Sequence, residues 1–448
     1  MQYYTTPIYY EEERVDHFIP KGANYKYLRI PKVKNLTNIA ERFKEAINSP
    51  LNSPTLEQLI KQQYQSGKIV VIIVDDHSRP NIHTRAFIPF LTEHLVKYGV
   101  DKNDLRIFVA TGTHKPPTSE QIRERILESL YDEWKERIWV HDCDDQDMHQ
   151  DLGISPYKTP IKLDKRVLSA CLRISLSDSE YHYFAGVAGS VKQFVPGCAA
   201  RHTVRVNHSR IFDKNTGFKP NCRMGNIKGN ICMQDIREIV KTIKNAYPIF
   251  IIDVIMHMGK MIDIFAGEPI AVHDNALKQL KSIRDVSITQ KADLVIVGKP
   301  SVNFYQAGKG YDSASHAVKE GGTILLLAGC PEGIGPQDFL DTMNHVKEKP
   351  YLEAMTWIID NKCTETTFEI GIQNAVELFK ILEVTKGELY VYSALDPKLM
   401  KETFRVKPLE RKKDVQEALR SFITEFLAQK PEGFIYVFED FNILAKEK

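Results

Sequence analysis

The chain is punctuated by short β-branched and aliphatic runs, each of strand length and each followed by a loop rich in Gly, Pro, Ser or charge. These runs are Lys68 to Val74 (KIVVIIV), Leu105 to Ala110 (LRIFVA), Val167 to Ser175 (VLSACLRIS), Asp293 to Val297 (DLVIV) and Thr323 to Ala328 (TILLLA). A run that is apolar on both faces suits a strand covered on both sides, as in a parallel sheet flanked by helices. Between and beyond them, Asn81 to Lys97, Ser119 to Glu136, Gln234 to Asn245 and Asp414 to Ala428 show helical spacing, with Pro89 placed to kink the first. The alternation predicts an α/β protein with mostly parallel sheets. A turn at Glu268 to Ala276 (EPIAVHDNA) precedes a new helix and a fresh series of strands, including ELYVYS and GFIYVFE. It divides the chain into two α/β domains, 1–272 and 273–448, each long enough for its own core, with a cleft between them as the expected small-molecule site.

Composition narrows the partners. The 60 basic and 58 acidic side chains leave a net charge of +2, so neither nucleic acid nor a membrane surface is expected. Seven cysteines, none arranged C-x-x-C, argue against a disulfide framework or a cysteine zinc site and predict reduced thiols. The first residues, MQYYTTPIYYEEERVDHF, lack an apolar leader core, and no apolar run approaches a membrane span, so a cytoplasmic location is expected.

In open α/β sheets ligands sit beyond the carboxyl ends of the strands, so the loops that follow the strands carry the chemistry. After the first run, Asp75-Asp76-His77-Ser78-Arg79-Pro80 offers carboxylate, hydroxyl and guanidinium before a helix, either for a phosphate or carboxylate or as a cap with an ion pair. After the second, Thr111-Gly112-Thr113-His114 sets a histidine on a Gly-containing turn, suited to proton transfer or to a structural role. The third loop runs from Glu180 through His182, Gly186 and Gly189-Ser190 to Lys192; its glycines admit either a closely approaching ligand or tight packing. It lacks the Gly-Lys-Ser/Thr order of an ATP-binding loop. No His/Cys/carboxylate set around His202 and His208 has closed-zinc spacing, so a bound metal would take most of its ligands from elsewhere. In the second half, Tyr305, Gln306 and Lys309 share a helix start and suit an anionic, hydroxylated molecule or a solvated surface.

Taken in order, Asp76-x-x-Arg79-Pro80, Gly112-Thr113-His114, His182-x-x-Ala185-Gly186, Lys192, Pro196-Gly197, Asn207-His208, Tyr305-Gln306-x-x-Lys309 and Gly329 to Gly335 resemble the nickel-dependent lactate racemase family over residues 70 to 335. The resemblance implies a racemase or epimerase of a 2-hydroxy acid that uses a nickel-pincer nucleotide, a pyridinium mononucleotide holding nickel through a ring carbon and two sulfurs. It implies that Lys192 tethers this cofactor covalently and His208 ligates the nickel. Asp76, His77, Ser78 and Arg79 would lie at cofactor and substrate. His114 and His182 would be the acid/base pair, and Arg79, Tyr305, Gln306 and Lys309 would bind a small anionic hydroxy acid. Domain 1–272 would hold the cofactor and domain 273–448 close over the substrate, while separate enzymes build the cofactor. The implied reaction is proton-coupled hydride transfer through a planar 2-keto acid.

Three positions depart from the family pattern. Gly189-Ser190 stands for Gly-Gly before the lysine, Gly298-Lys299-Pro300-Ser301 replaces a Gly-Gly-Tyr-Pro turn, and Asp253 stands for an asparagine. Lys299 would add a charge near the pocket and favour a larger or more polar substrate than lactate. His202, His257, His273 and Cys198 read as structural. Two other readings are a nicotinamide-dependent oxidoreductase, which would want a G-x-G-x-x-G turn that the chain lacks, and a non-catalytic binder of the pincer cofactor.

Overall fold

Val70–Asp75 forms the middle of a six-stranded sheet whose order is Lys260–Gly267, Ile249–His257, Leu172–Asp178, Val70–Asp75, Leu105–Ala110, Ile138–Val140. Every pairing is parallel except that of the edge strand Lys260–Gly267. The computed structural model describes residues 2–301 and 303–448, and the chain divides into two compact units. The amino-side unit contains 33–211 and 221–281; the carboxyl-side unit contains the residues up to 32, 212–220 and 282–448.

In the amino-side sheet, Val70 to Val74 are all buried. Val70, Ile72 and Val74 join Ile107, Ile174 and Ile252, and the helix Ile82–Lys97 lays Phe87, Leu91 and Leu95 on the same core. Each such side chain contributes about 1.5–3 kcal/mol by leaving water, which explains why the runs lack polar alternation. The topology fixes where the loops meet. From Val70–Asp75 the chain moves outward to Leu105–Ala110 and Ile138–Val140, then returns to the opposite side with Leu172–Asp178 and Ile249–His257. The order therefore reverses between Val70–Asp75 and Leu172–Asp178, which opens a crevice at their carboxyl ends.

The carboxyl-side unit has its own six-stranded sheet, in the order Lys407–Pro408, Leu389–Tyr392, Val318–Leu327, Ala292–Gly298, Ile435–Phe438, Tyr25–Leu28, with all pairings parallel. Its core gathers Leu294, Ile296, Leu325 and Val437 with Leu419 and Ile423 of the helix Val415–Gln429. Both units are thus α/β with mostly parallel sheets.

Several expectations need correction. A boundary at 272/273 is not where the units divide. Residues up to 32 belong to the carboxyl-side unit because Tyr25–Leu28 pairs with Ile435–Phe438 and Ile8, Val15 and Phe18 enter its core. Residues 212–220 join it too, with Gly217 packed against Met355 and Val376. The change near the middle falls at 281/282, inside the helix Pro269–Arg284. Val167 to Ser175 is not one strand: Asp164 caps a short helix, Lys165–Ser169, and the strand begins at Leu172. Ser119 to Glu136 is not one helix. It opens on a capping box between Thr118 and Gln121, widens over Ile122–Leu127, breaks at Glu128 with φ 48°, and restarts at Tyr131–Trp134. Among the described residues no helix is long and apolar enough to cross a membrane.

Candidate active site

Three loops leave the carboxyl ends of neighbouring strands in the amino-side sheet, and the one after Asp75 lies between the other two. Asp76, buried, turns its Oδ1 back to accept from Ser78 N at 2.8 Å and Ser78 Oγ at 2.5 Å. Its Oδ2 stands 2.5 Å from Nδ1 of His114, on the loop after Leu105–Ala110. Burial alone would raise the Asp76 carboxyl, but the His114 ring, the Ser78 donors and Arg79 outweigh it and hold the group well below the ordinary range. An ionised carboxylate can only accept, so His114 donates from Nδ1, and the neutral form of the ring has its lone pair on Nε2. On the other side, Arg79 donates from Nη1 to Glu180 Oε1 at 2.9 Å, on the loop after Leu172–Asp178. Burial opposes the Arg79 charge, but Glu180, Asp75, Asp76 and Asp178 more than offset this. His77 and Ser78 are half-buried on the same turn. Asn81, with φ 53°, donates to the carbonyls of Asp76 and Arg79 and closes the loop before the helix.

The third loop folds into a hairpin, Tyr181–His182 against Gly186–Val187. Ala185 N–H donates to His182 Nδ1 at 3.3 Å, so that nitrogen is the acceptor and a neutral His182 carries its proton on Nε2. The rings of His114 and His182 are therefore set in opposite senses. Phe184 joins the rest: its ring lies edge-on to His182 at 4.5 Å and to His208 at 5.4 Å, and the Lys192 ammonium stands 5.4 Å from its centroid. His208 ends the helix Arg201–His208 and is 6% exposed. Burial first, then the Lys192 charge, pushes its pKa well down, so the imidazole is neutral. Asn207 beside it donates to Asp235 Oδ2 at 2.8 Å and anchors that helix end.

The glycines of this loop serve packing. A Cβ on Gly189, with φ +78°, would lie 2.6 Å from Ser179 Oγ, and one on Gly197 2.1 Å from Gln193 O.

Beneath the loops is a layer that the sequence reading did not assign. Gln193 donates to Leu176 O at 2.6 Å and Asp75 Oδ1 at 3.1 Å, and accepts from Ser175 at 2.5 Å. Burial, with the charges of Asp76 and Asp253, raises Asp75 to about 7 against Arg79 and Gln193. His83, 3.5 Å from Asp75, is lowered to about 4 by burial. Asp253 is raised to about 6 by burial, while hydrogen bonds from Ser179, Ser190 and Ser177 oppose the rise. The sequence signals for this layer were Asp75 in the first loop and the carboxylate at 253, where the family pattern has an asparagine.

Tyr305, Gln306 and Lys309 lie on the helix Phe304–Ser315 of the carboxyl-side unit and are half-buried. Asn303 caps that helix on Gln306 N, and Gln373 donates to the Tyr305 hydroxyl at 3.1 Å. The Lys299 ammonium lies 4.3 Å from the centroid of Phe441 and donates to Pro300 O. At Gly329, which opens the glycine-rich stretch, the N–H donates to Glu11 Oε1 at 2.5 Å.

The lactate racemase N-terminal domain matches residues 10–218 and the lactate racemase C-terminal domain residues 287–425. A lactate racemase of Lactiplantibacillus plantarum is 30% identical over 368 residues, spanning 80% of this chain and 81% of the relative. One of Thermoanaerobacterium thermosaccharolyticum is 27% identical over 414 residues, 90% of each chain. In fold, the chain matches the lactate racemase apoprotein of Thermoanaerobacterium thermosaccharolyticum with a TM-score of 0.80 at 24% identity, covering 99% of this chain and 100% of that one. A Thermotoga maritima protein matches at 0.65 and 13% identity, over 93% and 100%. Two α/β units with these relatives define an enzyme of the isomerase class. The chain belongs to the lactate racemase family.

Proposed function

We propose that the protein inverts C2 of a small 2-hydroxy acid, with His114 and His182 as the acid/base pair and a nickel-pincer nucleotide held by Lys192 and His208. The observation that carries this reading is the Asp76–His114 pair: the carboxylate fixes Nδ1 of His114 as a donor, so that the neutral form of the ring has its lone pair on Nε2 to take the hydroxyl proton. Inversion requires a base for one antipode and an acid for the other, with the roles exchanged on return.

The residues present fit the cofactor. His208 is a buried, neutral imidazole, the form in which a histidine ligates a metal. Among the described residues, the one group of three metal donors within mutual reach is Asp142, Cys143 and Asp144, on a different loop. A single protein ligand suits a metal held mainly by an organic group. Lys192 stands against the same Phe184 ring as His208, so a tether there adjoins the ligand. When bound, the nickel-pincer nucleotide would supply a reversible hydride acceptor.

The chain's own residues do the rest. His114 Nε2 of the neutral ring takes the hydroxyl proton of one antipode while Asp76 stabilises the imidazolium that forms; on the other face His182, entering as the imidazolium, returns a proton to the product alkoxide and is left neutral, and the two exchange roles for the other antipode. The planar 2-keto acid is retained between the two steps. Arg79 keeps its remaining N–H groups for the substrate carboxylate, since Nη1 is held by Glu180. His77 and Ser78 line the same turn, and Tyr305, Gln306 and Lys309 supply a phenol, an amide and an ammonium suited to hydroxyl and carboxylate. Loading requires cofactor-building enzymes in the same compartment. A cytoplasmic location suits the seven free thiols, six of them buried.

The test is intact mass and nickel content of protein made alongside those enzymes, with Lys192→Ala beside it. Chiral chromatography of a panel of 2-hydroxy and sugar acids then reads the activity. A covalent addition and nickel in the wild type, absent in the variant, are expected. An unmodified, nickel-free wild type overturns the reading.

A further inference from the structure

Asp253 is fully buried on the strand Ile249–His257, where its ladder partner is Ser177. Its Oδ2 accepts from Ser179 Oγ at 2.6 Å and from Ser190 Oγ, while Oδ1 accepts from Val254 N at 2.8 Å. Ser190 is held a second time, because its N–H donates to Ser177 Oγ at 3.0 Å. Ser179 and Ser190 lie at the two ends of the loop that carries Glu180 and His182. Ser190 opens the single turn Ser190–Gln193, in which Lys192 N donates to Gly189 O at 2.9 Å. The far end of that turn is fixed by Gln193 on the strands below. Ser190 has φ 42°, a conformation that a serine holds only where its surroundings impose it.

We infer that Asp253 is a positioning residue for Lys192: through the Ser190 hydroxyl it fixes the turn that presents the lysine beside Phe184 and His208. Two departures from the family pattern, at 190 and 253, thus meet in one hydrogen bond. The clamp gains its functional meaning from the reading of Lys192 as a tether, but its geometry can be tested without the cofactor.

The experiment compares the full-length wild type with S190A, D253N, the double variant and S179A. S190A removes the hydroxyl and leaves the backbone demand unchanged. In D253N, Val254 N–H holds the amide oxygen, so the face toward Ser179 and Ser190 turns from acceptor to donor. S179A loses a hydrogen bond to the same carboxylate but spares Ser190, and so controls for general loosening. Acetylation of Lys192 by acetic anhydride in cofactor-free protein is followed by peptide mass spectrometry, with the exposed Lys68 as internal reference and melting temperature recorded alongside.

S190A is expected to change Lys192 labelling relative to Lys68 by about tenfold, the effect of about one pKa unit on the neutral amine, and D253N by less, because the serine hydroxyls can turn to accept from the amide. The double variant should change it no more than S190A alone, because both act through one contact. S179A should leave it near the wild-type rate. Wild-type labelling in S190A, or an equal change in S179A, overturns the clamp. Covalent mass addition on cofactor-loaded protein separates this inference from the cofactor reading. If the labelling pattern holds and the wild type gains no mass, the cofactor reading fails and the clamp stands; if S190A and D253N gain mass as readily as the wild type and label alike, the clamp fails.

Discussion

Replacing Asp76 by asparagine tests the His114 dyad at its most exposed assumption, the position of one proton. Oδ1 of Asp76 accepts from both the backbone N–H and the hydroxyl of Ser78. A backbone N–H cannot become an acceptor, so in D76N the amide oxygen must stay on Ser78 and the NH2 group must face His114 Nδ1. That nitrogen then becomes an acceptor, the ring proton moves to Nε2, and the lone pair that takes the substrate proton is lost. Loss of the charge-assisted hydrogen bond costs about 1.5–3 kcal/mol in holding the ring. Loss of the correct tautomer costs the general-base contribution, about 10²- to 10⁴-fold in kcat, or roughly 2.7–5.5 kcal/mol of transition-state stabilisation. The assay is racemisation from each antipode separately, by chiral chromatography. Enantiomers have equal free energies, so kcat/KM must fall equally in both directions whatever the variant does. The asymmetry of the two histidines can therefore appear only in how that loss divides between kcat and KM, and the division should differ between antipodes. A D76N enzyme with wild-type kcat in both directions and an unchanged melting temperature refutes the dyad.

Other expectations concern the support around the site. Asp75→Asn should flatten the pH dependence of stability: the wild-type carboxyl, raised from 3.8 to about 7, keeps in the folded state a proton that the unfolded chain releases, so its stabilising effect is complete below the lower value and lost as pH rises through the higher. Melting curves from about pH 4 to about pH 8 should show the variant gaining on the wild type with rising pH, and parallel curves would contradict the assignment. Gly189→Ala should destabilise by about 1–3 kcal/mol in thermal melts and slow Lys192 modification, since its Cβ would lie 2.8 Å from Asp178 O at a positive φ. Ile72→Ala, in the middle of the central strand, should cost about 2–5 kcal/mol in denaturant melts without changing the substrate range.

What could be read from the sequence follows from how local each signal is. Leu105–Ala110 has the same bounds in the structure as in the sequence reading, because burial on both faces writes itself into an unbroken apolar run. The hairpin Ile249–His257 with Lys260–Gly267 went unmarked: its two-residue turn is Met258-Gly259, at φ 47° and 73°, and a methionine there hides the Asn-Gly signal of such turns. Tyr25–Leu28 is four residues whose partner lies some four hundred positions away, and no local pattern predicts that. The loop residues were visible because their chemistry is unusual for a turn. Gln193, His83 and the serines around Asp253 were not, since a buried polar layer is defined by contacts between separate strands. Over 119–136 the apolar spacing was real, yet it could not reveal the positive-φ residue Glu128 that breaks the helix.

The pairing of Tyr25–Leu28 with Ile435–Phe438 bears on how the protein comes to be made. The first of these strands leaves the ribosome some four hundred residues before the second, so the carboxyl-side sheet stays incomplete until Ile435–Phe438 has been made. The amino-side sheet, whose strands all lie between 70 and 267, is complete long before. A nascent chain therefore carries an unpaired Tyr-Lys-Tyr-Leu edge until residues 435–438 emerge. A fragment starting at residue 273 would want that edge permanently, whereas a circular permutant joining residue 448 to residue 2 would bring the two strands together at once.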